Sequence, residues 1–162
     1  MSARIAAGSG TATVTTGLPV LDHLLGLLAR AGRFDLTLEL VPANAEAEVA
    51  EAGRALGEAL APLLRGDGAV GHGSAMLPAD EALAQVALET SGKPLVASNV
   101  DLSGEGAGGL RSDLAARFLQ SFADAAGLTL HVRLIDGEDS QHVLEAIFKA
   151  LGAALAQAGT RA

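Results

Sequence analysis

The chain of 162 residues carries 19 acidic against 11 basic side chains, a formal charge of −8, and suits one compact domain able to bury its own core. It has no Cys, Trp or Tyr, which excludes disulfide scaffolds, Cys zinc sites and thiol catalysis and removes the aromatic platforms on which single-stranded nucleic acid stacks. Without a basic stripe, no nucleic-acid partner is expected. Without a secretory h-region or a run of roughly 18 apolar residues, no membrane is expected and the location is read as cytoplasmic.

Residues 3–16 hold a Gly-Ser-Gly turn between Arg4-Ile5-Ala6 and the alternating, β-branched Thr11–Thr15, a pattern that predicts a β-hairpin. Leu21, Leu24, Leu25 and Leu28 then fall at the i, i+3, i+4, i+7 spacing of a buried helix face, which Gly32 ends. Leu36, Leu38 and Leu40 alternate with polar residues, as a half-buried strand does. Residues 41–47 read as a loop, and about 48–64 as a helix carrying Val49, Ala52, Leu56 and Leu60. The stretch 72–101 contains strand-like pieces at 75–77, 86–88 and 95–100, with turn signals at Pro78 and at Ser91–Pro94. Residues 81–87 also satisfy helix propensity. Ser103–Gly109 is glycine-rich and reads as a mobile loop. A helix with Leu114, Phe118, Leu119 and Phe122 follows, then a strand with Leu128, Leu130, Val132 and Leu134, then a helix from about Gln141 to Gln157.

The order helix, strand, loop, helix thus occurs twice. Ala55-Leu-Gly-Glu-Ala-Leu-Ala61 matches Ala150-Leu-Gly-Ala-Ala-Leu-Ala156, and strand 36–40 matches 130–134, at nearly the same offset. This points to an internal duplication, with a first repeat over 1–68 and a second over 69–162 forming one compact unit.

Four histidines are available for chemistry. His142 and Glu145 lie three apart on the last helix, so both can reach one metal ion; the same spacing also makes an ordinary surface contact. His131 stands on the strand face opposite the leucines, where an exposed residue is equally natural. His23 follows Asp22, a neighbour able to orient an imidazole or simply to pair with it on the helix surface. His72, between two glycines, reads as a loop residue. In the duplication, His142 and Glu145 correspond to Ala47 and Ala50, so one half has ligand-type side chains where the other has methyl groups.

Thr16-Gly-Leu-Pro-Val-Leu-Asp-His-Leu-Leu25 with Arg33-Phe-Asp-Leu36 resembles the first signature of the imidazoleglycerol-phosphate dehydratase family. Gly73-Ser-Ala75 with Pro78-Ala-Asp-Glu-Ala-Leu83, Ser91-Gly-Lys-Pro94, Leu128-Thr-Leu-His-Val-Arg133 and Gln141-His-Val-Leu-Glu-Ala-Ile-Phe-Lys-Ala150 continue it in order, from about Arg4 to Gln157. The resemblance implies an α+β fold of two tandem repeats, each a four-stranded sheet with two helices packed on one face. It implies a homo-oligomer, a trimer or higher, whose neighbouring subunits share metal ligands. It also implies a carbon–oxygen lyase of histidine biosynthesis that removes water from a small phosphorylated imidazole compound, with two Mn2+ ions stabilising charge as a carbon-bound proton leaves.

Carried over position by position, the resemblance makes His23, His131, His142 and Glu145 metal ligands. The ligand positions of the other histidine motif fall on Glu46, Ala47 and Ala50, where Glu46 alone keeps a coordinating group, and the partner of His142 in its own motif is Gln141. Arg133, Lys149 and Lys93 stand where substrate-binding cations are implied, Lys93 replacing an arginine; Gly71 replaces another, and the family's N-terminal acid/base segment has no counterpart before Arg4. Half of the ligand positions are altered, so a full dimetal centre is not expected. One Mn2+, or another divalent ion, on His23, His142 and Glu145 is. Loss of the acid/base group alone costs about 10²–10⁴ in rate. The expectation is therefore a dehydratase-like protein of impaired activity, and the alternative a non-catalytic paralogue kept for assembly, regulation or binding of a metal or small phosphate ligand.

Overall fold

The computed structural model describes residues 2–100 and 112–160. The elements run β1 (Ser2–Ala7), β2 (Ala12–Thr15), α1 (Pro19–Gly32), β3 (Phe34–Glu39), α2 (Ala45–Arg65), β4 (His72–Ala79), β5 (Ala82–Glu89), β6 (Leu95–Ser98), α3 (Ser112–Ala126), β7 (Thr129–Asp136) and α4 (Ser140–Gly159). They form two sheets, ordered β1-β3-β2 and β4-β5-β7-β6. Helices α1 and α2 lie on the first sheet, and α3 and α4 on the second. Across the middle, α1 packs on α4 and α2 on α3.

The duplication is visible in the topology. Strand β3 pairs antiparallel with β1 and parallel with β2, and β7 pairs antiparallel with β5 and parallel with β6 in the same way. The buried leucines of α1 (Leu21, Leu24, Leu25, Leu28) correspond to Ala115, Phe118, Leu119 and Phe122 of α3, all at most 1 % exposed. Both helices end on a left-handed residue, Arg33 (φ 54°) and Gly127 (φ 70°), which turns the chain into the next strand. Among the described residues strand β4 has no equivalent in the first half, which therefore has a three-stranded sheet where the resemblance implied four.

The hairpin expected over 3–16 is not formed, because β3 lies between β1 and β2. Strands on either side of a third are about 10 Å apart, a gap that the four residues 8–11 can span. The Asp35 carboxylate, at the start of β3, accepts from the N–H groups of Ser9 (3.1 Å) and Thr11 (3.2 Å) and holds that link across the strand end. A local turn signal is the same for a hairpin and for a link that straddles one strand.

Helix α2 starts three residues earlier than its apolar periodicity indicates. The Asn44 side chain caps it by accepting from the Ala47 N–H at 2.9 Å, which puts Glu46 in the first turn rather than in a loop. Residues 82–87 are strand, not helix, and Glu81 lies in the turn before them. Ala82, Ala84, Val86 and Leu88 are buried in strict alternation, and a place in the middle of a sheet overrides alanine's helix propensity. Pro78 belongs to β4 rather than to a turn, tolerated because β4 is an edge strand; the turn is made by Asp80, at φ 53°, and Glu81. The glycine-rich stretch 103–109 lies outside the described residues. No helix among those described is long and apolar enough to cross a membrane.

Candidate metal centre

Three elements meet at one end of the second repeat: the second turn of α1, the first turns of α4 and the β4–β5 turn. Asp139 caps α4, its carboxylate accepting from the N–H groups of Gln141 (2.9 Å) and His142 (3.1 Å). The helix then presents His142 and Glu145 on one side, one turn apart. The His142 ring is held from both nitrogens. Nδ1 contacts the Glu81 carboxylate and Nε2 lies 3.3 Å from Asp80 Oδ2. The second Glu81 oxygen accepts from the N–H groups of Glu138 (3.2 Å) and Asp139 (3.3 Å), so this carboxylate ties the β4–β5 turn to the loop entering α4.

These contacts set the charge states. The hydrogen bond from the His142 ring and then the backbone N–H of Glu138 hold the Glu81 carboxyl down at about 2. The His142 ring is raised in turn, first by Glu81 and then by the negative charges of Asp139 and Asp80.

Glu145 is the best-shielded acid of the group, with 15 % of its side chain exposed. It accepts from His23 Nε2 at 2.8 Å and, more weakly, from the Gln141 amide at 3.4 Å. His23 therefore reaches across from α1 to α4. Asp22, considered from sequence as its orienting partner, is engaged elsewhere: its carboxylate accepts from the Thr16 N–H (2.9 Å) and hydroxyl (2.5 Å) and braces the turn into α1.

Ligand-type atoms of Asp80, His142 and Glu145 lie within 4.8 Å of one another. One imidazole nitrogen with two carboxylates is a donor set suited to a single divalent cation such as Mn2+. The residues fit one ion here. At the related place in the first repeat, Ala47 and Ala50 stand for His142 and Glu145, and Arg117 of α3 stands for His23. Ala50 and Arg117 line the same groove with Ser121 and Asp124. Two methyl groups and a guanidinium do not fit a cation.

The remaining sequence candidates are dispersed. His131 is exposed on the outer face of the second sheet, between Ala87 and Ala97, with Arg133 exposed two residues on. Glu46 is exposed in the first turn of α2, and Lys93 in the turn after β5, where its backbone carbonyl accepts from Ser91 and Thr129. The Lys149 ammonium donates to the Pro78 carbonyl at 2.7 Å, beside the β4–β5 turn. Asp80 and Glu81 were not singled out from sequence, although both sit in the Pro78–Leu83 stretch that carries part of the resemblance. Their partners are about sixty positions away along the chain, and only the fold brings them together.

The comparisons with known proteins agree with one another. Residues 16–155 match the family model for imidazoleglycerol-phosphate dehydratase. The enzyme of that name from Trichlorobacter lovleyi is 41 % identical over 153 residues, which span 91 % of this chain and 78 % of that protein. The Moorella thermoacetica enzyme is 42 % identical over 161 residues, 94 % and 80 % of the two chains. Among solved structures, imidazoleglycerol-phosphate dehydratase from Staphylococcus aureus superposes with a TM-score of 0.89 at 30 % identity, over 98 % of this chain and 92 % of that one. With fold, sequence and the α1–α4 cluster in accord, the chain belongs to the imidazoleglycerol-phosphate dehydratase family, whose reaction lies in histidine biosynthesis.

Proposed function

We propose that the chain is a divergent dehydratase of this family that holds one divalent cation instead of two and turns over its phosphorylated imidazole substrate with impaired efficiency. The observation that supports it is the asymmetry between the repeats. His142, Glu145 and Asp80 converge in the second, and Ala47 and Ala50 occupy the related positions in the first.

Asp80, His142 and Glu145 would hold the ion, with His23 beside Glu145. When bound, a divalent cation there supplies Lewis acidity for charge that develops on the substrate's imidazole ring. His23 keeps a proton on Nε2 against the Glu145 carboxylate while about half of its side chain stays open to solvent. Lys149, anchored on the Pro78 carbonyl, keeps further N–H groups for an anion such as a phosphate.

The chain is further read as a homo-oligomer, a trimer or higher. Met76 and Leu95, each about half exposed, share the outer face of the second sheet with His131 and Arg133. A second copy covering that face would bury the apolar residues and recruit His131 to a neighbouring site.

The test is an assay of the purified chain for imidazole acetol phosphate formed from imidazole glycerol phosphate with added Mn2+. Slow, metal-dependent turnover that Glu145→Gln abolishes is expected. No turnover above buffer, with Mn2+ still bound, favours the non-catalytic paralogue. Sedimentation yielding a strict monomer with and without metal contradicts the oligomer.

A further inference from the structure

We infer that Glu81 is a positioning residue that fixes which nitrogen of His142 faces the cation site; this rests on the one-cation reading above. Two observations carry it. Glu81 contacts His142 on Nδ1, while the opposite nitrogen, Nε2, is the one beside Asp80 Oδ2. Its other oxygen is pinned by the backbone N–H groups of Glu138 and Asp139, at 3.2 and 3.3 Å. An ionised carboxylate only accepts hydrogen bonds, so the ring must keep a proton on Nδ1. The lone pair of the neutral ring is then on Nε2, which is the atom within 3.3 Å of Asp80. A carboxylate behind a histidine in this manner sets both the tautomer and the ring orientation presented to a metal.

The same geometry makes Glu81→Gln an inverting substitution rather than a merely weakening one. The amide has one accepting and one donating end. Two backbone N–H groups claim the carbonyl oxygen, so the NH2 group is left facing His142 Nδ1. A donor at that place forces Nδ1 to accept, and the ring proton moves to Nε2. The nitrogen needed for a cation is thereby blocked, with side-chain size and backbone contacts kept. Glu81 touches neither substrate nor metal in this scheme; it acts through His142.

The decisive readout is the tautomer of His142 in the metal-free protein, from ¹⁵N chemical shifts and long-range ¹H–¹⁵N couplings of the neutral ring, with His142→Ala used for assignment. The wild-type chain is expected to carry its proton on Nδ1 and Glu81→Gln on Nε2. Titration with Mn2+ alone is expected to show affinity lowered about 10–100-fold in Glu81→Gln, and Glu81→Asp, which keeps the carboxylate, should recover part of it. Wild-type His142 carrying its proton on Nε2, or an unchanged tautomer in Glu81→Gln, overturns the inference; the wild-type measurement stands even if the variant fails to fold. A wild-type chain with the Nδ1 proton that binds no Mn2+ overturns the metal reading and leaves the tautomer assignment in place.

Discussion

Replacing Gly152 by alanine probes the contact that brings His23 to Glu145. Gly152 lies in α4 where it crosses α1, and a Cβ built there falls 2.1 Å from the Leu28 carbonyl oxygen and 2.8 Å from its carbon. Both are backbone atoms and cannot swing aside, so the helices must part by more than 1 Å to reach ordinary van der Waals contact. A gap of 0.5–1 Å already forfeits a quarter to a half of each dispersion contact, and overpacked cores typically lose about 1–3 kcal/mol. The rigid neighbour puts Gly152→Ala at or above the upper end, offset by about 1 kcal/mol of gained helix propensity, for a net loss of about 2 kcal/mol. Gly26, in the middle of α1, is the control: a Cβ there meets nothing within 4 Å, so Gly26→Ala should gain about 0.5–1 kcal/mol. Urea unfolding of the metal-free protein, read by circular dichroism, compares the two. If Gly152→Ala proves as stable as Gly26→Ala to within about 0.5 kcal/mol, the helices do not approach as described and the His23–Glu145 contact loses its support.

Two further substitutions test the fold away from the site. Phe118 is fully buried and packs on Phe148 and Phe122, with ring centroids 5.5 and 6.2 Å away; Phe118→Ala should cost about 3–5 kcal/mol, and a loss below about 1 kcal/mol would show that α3 is not seated in the common core. Asp35 is held below its ordinary value near 3.8, first by the Thr11 and then by the Ser9 backbone N–H. A depressed carboxyl gives stability that is present above the unfolded value and lost as pH falls through the folded one. Below about pH 4 the wild-type chain should therefore lose its advantage over Asp35→Asn, and two unfolding curves that stay parallel down to pH 2 would contradict the link across β3.

What could be read from the sequence was what repeats. The leucines of α1 and their counterparts in α3 follow helical spacing, and β3 and β7 alternate, so periodicity alone locates them. What escaped was what depends on distant partners. The Gly8–Thr11 link reads as a hairpin turn until Asp35, some 25 residues on, anchors it over β3. The start of α2 was legible in principle through Asn44, a favoured capping residue, but the apolar pattern begins only at Val49. At the site, His142 and Glu145 were recognisable from their one-turn spacing, and His23 from its motif. Asp80 and Glu81 carry no spacing relation to them, because among the described residues β4 and its turn have no copy in the first repeat against which to compare. Conversely, the contrast at Ala47 and Ala50 was visible only because the second repeat carries His142 and Glu145 at the matching positions.

On the proposed reading each chain holds one cation, in the second repeat. Titration of the metal-free protein with Mn2+, followed by electron paramagnetic resonance of the free ion, measures it directly. One Mn2+ per chain, with binding lost in Glu145→Gln and retained in Ala50→Ser, is the predicted result. Two ions per chain, none, or binding indifferent to Glu145 would contradict it.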